Sequence, residues 1–110
     1  MKVCFANNKL RKQLSSISDI KRHFGNNAKR VASRIADMEA ADNLEILIQI
    51  PPAKCHPLLG DKKGLWAVSV SANHRLIFEI LNDPIPIIRN NEVDVKCVDS
   101  VRIVKIEDYH

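Results

Sequence analysis

The apolar residues change period partway along the chain. Leu10, Leu14, Ile17, Ile20 and Phe24 recur every three or four residues, the spacing that lines side chains along one face of a helix. After Pro57 the spacing drops to two. Trp66, Val68 and Val70 alternate with Ala67 and Ser69; Leu76, Phe78 and Ile80 alternate with Arg75, Ile77 and Glu79; Val101 and Ile103 alternate with Arg102 and Val104. That is the pleat of strands. Helices followed by strands predict an α+β domain, with N-terminal helices packed on one face of a small curved antiparallel sheet.

Punctuation residues sharpen the reading. The first helix leaves room for a break at Ser15-Ser16, and Gly25 tolerates the left-handed backbone of a helix end. Asn26-Asn27 then offers an N-cap for a second helix over 28–40, whose buried stripe is Ala28, Val31, Ile35 and Met38, with Arg30 and Arg34 one turn apart on another face. A short third helical turn is predicted over 42–47, before Pro51-Pro52 removes backbone donors. Lys2–Phe5 reads as an added strand, and Ser71-Ala72-Asn73 as the link of a hairpin. Pro84 and Pro86 demote the apolar run 85–88 to an edge or loop.

With 110 residues and 45% hydrophobic content, the chain can bury one core but not two, so a single domain over 1–110 is expected. Its apolar stretches are too short to cross a bilayer and its start has no signal-length apolar run. Three scattered cysteines, Cys4, Cys55 and Cys97, form neither a disulfide framework nor a zinc ribbon. A cytoplasmic protein without membrane contact is expected. Charge is unevenly spread: residues 1–34 hold nine basic side chains against one acidic, while the remainder is mildly acidic. Such a segment suits phosphate backbones or an acidic partner, though a solvated helix face would carry the same charges.

Three places carry residue types suited to chemistry: His56 in Lys54-Cys55-His56-Pro57, Arg75 in Asn73-His74-Arg75, and the triplet Asp108-Tyr109-His110. Two imidazoles and a carboxylate can exchange protons near neutral pH, and an arginine fork matches phosphate oxygens. Together they fit phosphodiester cleavage in RNA. A base would take the 2′-hydroxyl proton, an acid would protonate the leaving 5′-oxygen, and a cation would stabilise the phosphorane. Taken singly, each is equally at home as an exposed loop or tail residue. Cys55 and His56 are adjacent and point opposite ways in extended chain, so they make no nucleophile pair. Cys55, His56, Asp108 and His110 lack the short ligand spacing of zinc sites, and no metal or cofactor is expected. Trp66, inside an alternating run, reads as a core anchor.

The segment Lys54-Cys55-His56-Pro57-Leu58-Leu59-Gly60-Asp61, the strand start Gly64-Leu65-Trp66, the hairpin Asn73-His74-Arg75-Leu76-Ile77-Phe78 and the triplet Asp108-Tyr109-His110 together resemble the HigB branch of RelE/ParE-type toxins of bacterial toxin–antitoxin systems. The resemblance implies a microbial RNase-like fold that enters the ribosome and cuts mRNA during translation without metal. It implies two partners besides ribosomal RNA: the ribosome with its mRNA, and a cognate helix-turn-helix antitoxin, HigA-like. By matching motifs, His56 is the loop histidine, Arg75 the hairpin arginine, and Asp108, Tyr109 and His110 the catalytic triplet. Asp108 or His56 would then be the base, His110 the acid, and Tyr109 the residue that orients the nucleobase. Arg75 and Lys54 would stabilise the phosphate, with Lys62, Lys63, Arg30 and Arg34 contacting RNA. Two other readings compete: a non-nuclease relative that inhibits DNA gyrase, and a degenerate module that only binds its antitoxin. The chain departs from the branch at His74, where an aromatic residue is common, at Leu59, where a basic one is frequent, and in the long segment 82–97.

Overall fold

The computed structural model describes residues 1–108. Strand β1 (Lys2–Phe5) leads into helices α1 (Asn8–Gln13), α2 (Ile17–Phe24), α3 (Ala28–Ala40) and α4 (Leu44–Ile48). Strands β2 (His56–Pro57), β3 (Leu65–Ser69), β4 (His74–Ile80) and β5 (Ser100–Asp108) follow. Helices before strands, with the predicted hairpin between β3 and β4, is the order the change of period requires.

The first helical stretch is broken where the two serines stand, and the reason is local. Ser16 adopts extended backbone and its Oγ accepts the Asp19 amide at 3.1 Å, while Ser16 and Ser15 both donate hydroxyls to the Asp19 carboxylate at 2.7 and 3.0 Å. This reciprocal cap starts α2 afresh. The two hydroxyls also hold the Asp19 carboxyl below its ordinary pKa. Asn7 and Asn43 cap α1 and α4 in the same manner. Gly25 closes α2 at φ +52°, a conformation in which a side chain is strained.

Asn27 does not cap α3, contrary to the sequence expectation. Gly25–Asn27 form a 3-10 turn that runs straight into α3, so the Asn27 backbone (φ −90°, ψ −4°) is already turned and its side chain makes no cap bond. The freed amide reaches across to the sheet, 3.4 Å from His74 Nδ1.

The sheet order is β1-β5-β4-β3-β2. Every contact is antiparallel except β1 with β5, which is parallel with Val3 opposite Val101. The sheet is therefore mixed rather than wholly antiparallel. The helical layer intervenes between β1 and the hairpin, so β5 enters alongside β1 in the same direction.

The helices cover one face. Val31, Ile35 and Met38 of α3, with Ile20, Leu44 and Leu47, pack on Trp66, Val68, Leu76, Phe78, Val101 and Ile103. Side chains of this size each contribute about 1.5–3 kcal/mol when removed from water. On the opposite face, among the described residues, Ala67 and Ile77 are buried beneath Leu58, with Leu65 and Val104 at the margin. Polar side chains follow along that face, Ser69, Arg75, Lys105 and Glu107 among them.

The long segment between β4 and β5 folds on itself. The Ile88 amide donates to the Glu92 carbonyl at 2.7 Å, Ile87 bridges Val93, and the Asn82 carboxamide receives the amides of Asp99 and Ser100. The Val98 carbonyl accepts the Leu44 amide, tying the segment to α4. Among the described residues no helix is long and apolar enough to cross a membrane.

Candidate active site

The face that the helices leave open carries the candidate site, and strand register decides which side chains reach it. Residues directly paired across a sheet point to the same face. Register sets His56, Ala67, Ile77 and Lys105 in one row, and Ser69, Arg75 and Glu107 in the next. His56 and Arg75 are two strands and two residues apart, roughly 12 Å between Cα atoms by ordinary strand spacing.

His56 is exposed on the edge strand. Its Nδ1 lies 2.8 Å from the carbonyl oxygen of Lys54, which sits in the left-handed conformation at φ +46°. A carbonyl can only accept, so Nδ1 carries the proton and Nε2 is left as the lone-pair nitrogen. A turn two residues upstream thus fixes one tautomer. This is the arrangement a proton carrier needs, because Nε2 can accept a proton and later return it.

Around Arg75 the electrostatics are concentrated on one carboxylate. Glu107 Oε1 lies 2.6 Å from Arg75 Nε and 3.3 Å from Lys62 Nζ, and Oε2 lies 3.1 Å from Lys105 Nζ. Burial pushes the Glu107 carboxyl up, but the hydrogen bonds from Arg75, Lys105 and Lys62 outweigh it and hold its pKa down at about 2. Among the described residues three cations gather around this one carboxylate, where polar side chains meet solvent. Such a cluster can bind a phosphate while its geometry stays fixed.

Glu107 was absent from the residues expected on sequence grounds. The signal for it is the adjacent apolar pair Ile103-Val104, which interrupts the alternation. Ile103 pairs with Phe78 and Lys105 with Ile77, so Val104 is the extra residue of a bulge. Past the bulge the phase inverts: Ile106 turns to the core and Lys105 and Glu107 to the open face.

The same phase puts Asp108 opposite His74, on the other face from Arg75 and Glu107. Its Oδ2 is 3.8 Å from His74 Nε2, while His74 Nδ1 is held by the Ser71 hydroxyl at 2.9 Å and the Asn27 carboxamide. Asp108 therefore belongs with the hairpin tip and the α2–α3 junction rather than beside His56. Tyr109 and His110, the rest of the expected triplet, lie outside the described residues.

Of the residues expected at RNA, Arg30, Lys54 and Lys63 are exposed. Lys62 is drawn to Glu107. Arg34 is 13% exposed, with Nε donating to the Ser69 carbonyl at 2.9 Å and a terminal nitrogen 2.7 Å from Asp37 Oδ2. Its charge fastens α3 to the end of β3. Burial pushes the Cys55 thiol up to about 12, which makes it an inert core residue at neutral pH. Among the described residues no three His, Cys, Asp or Glu side chains are grouped to hold a metal.

Comparison with known proteins agrees with this architecture. No protein-family model matches the chain. It is 37% identical over 82 residues to "Endoribonuclease HigB" of Proteus vulgaris, a match spanning 74% of this chain and 70% of that protein. The fold is similar to that of the "YoeB/ParE toxin from Agrobacterium tumefaciens", with a TM-score of 0.55 and 13% identity over 100% of both chains. With helices on one side, a five-stranded mostly antiparallel sheet on the other, and this level of identity to a HigB protein, the chain belongs to the HigB family of the RelE/ParE toxin superfamily.

Proposed function

We propose that this chain is the toxin of a toxin–antitoxin pair and acts in the cytoplasm as an endoribonuclease that cuts mRNA on the ribosome. The observation that carries the reading is His56: its tautomer is set by the Lys54 carbonyl and its Nε2 is open on the same face as the Arg75–Lys62–Lys105 cluster. The RNA 2′-oxygen attacks the adjacent phosphorus, the P–O5′ bond breaks, and the products are a 2′,3′-cyclic phosphate and a 5′-hydroxyl. One group takes the 2′-proton and another returns a proton to O5′, so no net proton is consumed. His56 is one of these two groups. The other, with a ring to stack on the base, comes from the Asp108-Tyr109-His110 triplet by its resemblance to the family motif. Arg75 and the lysines stabilise the charge that gathers on the non-bridging oxygens.

The partners follow from charge. Exposed cations such as Arg30 meet ribosomal RNA, with binding that weakens as salt rises. The groove between α2 and α3, lined by Ile17, Ile20, Ala32 and Ala36 with Lys21 and Lys29 beside them, suits an acidic amphipathic helix of a helix-turn-helix antitoxin.

Induction of the protein followed by mapping of mRNA 5′ ends tests the reading. New ends are expected within translated frames, and His56→Gln is expected to lower cleavage by about 100-fold. Cleavage undiminished in that variant removes His56 from the mechanism. DNA breaks without RNA cleavage would establish the gyrase reading instead.

A further inference from the structure

On the helix-covered side of the sheet, beneath the edge strand β2, lies a groove of about 770 Å³ between α4 and the segment that precedes β5. Its lining includes Trp66 and Val93, flanked by Ile48 and Ile88, which are 38% and 50% exposed. Two large aliphatic side chains left this open beside an apolar cavity form a surface suited to being covered. Glu45, Glu92 and Asp94 also line it, against a single cation, Lys96. The sign is opposite to that of the first 34 residues. Phosphate would be repelled here, whereas lysine or arginine side chains on an apolar backbone would be attracted.

We propose that this groove is a docking site for a cationic amphipathic segment of a partner protein, its leucine or isoleucine side chains seated between Ile48 and Ile88 and its lysines or arginines paired with Glu45, Glu92 and Asp94. Edge strand β2 joins this groove to the candidate active site, because Pro57 lines the groove while His56, the preceding residue, faces the open side. A protein bound here lies against the strand that holds His56. The surface is built largely from the long segment between β4 and β5. Occupancy of the groove needs no ribonuclease activity, so this proposal and the functional reading stand or fall separately.

Trp66 is the sole tryptophan in the sequence and lines the groove, which makes its fluorescence a direct reporter. The full chain is titrated with a synthetic amphipathic helix of leucine and lysine lacking aromatic residues, and with its leucine–glutamate counterpart. A saturable change with the lysine peptide alone is expected. Glu92→Lys and Ile88→Lys are each expected to weaken it by about tenfold, as charge reversal and loss of an apolar anchor both act on the bound state. Leu59→Lys, at an exposed leucine outside the groove, is expected to leave it unchanged. The proposal is overturned by equal response to both peptides, by no response, or by equal weakening in the Leu59 variant. It is also overturned if single-stranded RNA competes for the groove, or if the peptide-free protein sediments as a dimer that Ile88→Lys dissociates, which would make a second copy the occupant.

Discussion

Arg75 Nε lies 2.6 Å from Glu107 Oε1 across the β4–β5 pair, and the bulge at Val104 is what sets the two residues opposite each other. If Val104 paired with Ile77 instead of bulging out, Lys105 would fall opposite Leu76 and Glu107 opposite His74, both on the helix-covered face. Leaving Val104 unpaired thus keeps a glutamate and a lysine out of the core and on the open face. The charge cluster of the candidate site and the integrity of the core depend on the same backbone irregularity.

Glu107→Gln is expected to lower stability by about 1–3 kcal/mol at neutral pH, because Arg75, Lys62 and Lys105 lose the carboxylate they share. The pH dependence has a definite sign. The folded-state pKa of Glu107 is depressed from 4.5 to about 2, so its contribution is complete above the unfolded value and disappears as pH falls through the folded one. Urea unfolding midpoints of the two proteins should therefore differ most at pH 7, converge below the ordinary carboxylate range, and coincide near the folded pKa. A gap that stays constant across that range would mean that the shared carboxylate contributes nothing through its charge.

Deleting Val104 tests the bulge itself. Val101 and Ile103 remain anchored in the core and in register with β1, and with Val104 gone regular pairing onward from Ile103 and Phe78 sets Lys105 opposite Ile77 and Glu107 opposite Arg75, the partners they already have. A bulge whose role is to set this phase becomes dispensable once its extra residue is removed. The expected result is a cooperative thermal transition in far-ultraviolet circular dichroism, lowered by a few degrees for the lost side-chain contact; loss of the transition would show that the bulge shapes the strand beyond setting its phase. Val104→Ala, which keeps the extra residue, is expected to melt within a few degrees of the parent, as Val104 is only partly buried.

Much of this fold is legible in residue spacing. The stripe Ala28, Val31, Ile35 and Met38 is buried as its period requires, and the strands from Trp66 onward occupy the alternating segments. Spacing informs because it records which face meets water. It is silent where pairing between distant segments decides: the parallel contact of β1 with β5, the diversion of Asn27 to His74, and the separation of Asp108 from Arg75 all depend on register. The site shows the same division. His56 and Arg75 stand on the open face by residue type and motif, whereas Glu107 beside the conspicuous Asp108 is picked out only by the adjacent apolar residues Ile103 and Val104. A two-residue lapse in alternation was the available signal, and it marks the bulge.

Arg30 and Arg34 provide the sharpest contrast between a cation that binds outward and one that holds the fold. They are one helical turn apart on α3, and sequence alone treats them as a pair. Arg34 donates to the Ser69 carbonyl and pairs with Asp37, so Arg34→Ala leaves a partly buried carbonyl without its donor and is expected to cost about 1–3 kcal/mol. Arg30 is exposed, and its replacement by alanine is expected to change stability by no more than about 0.5 kcal/mol. RNA binding should show the reverse order. If Arg30 contacts a phosphate, Arg30→Ala lowers the magnitude of the slope of log affinity against log salt by about 1. Arg34→Ala, measured where it is still folded, leaves that slope unchanged. Filter binding of a short RNA over a salt series, with urea unfolding of the same preparations, separates the two roles. An equal change of slope in both variants would show that Arg34 leaves its partners to meet RNA.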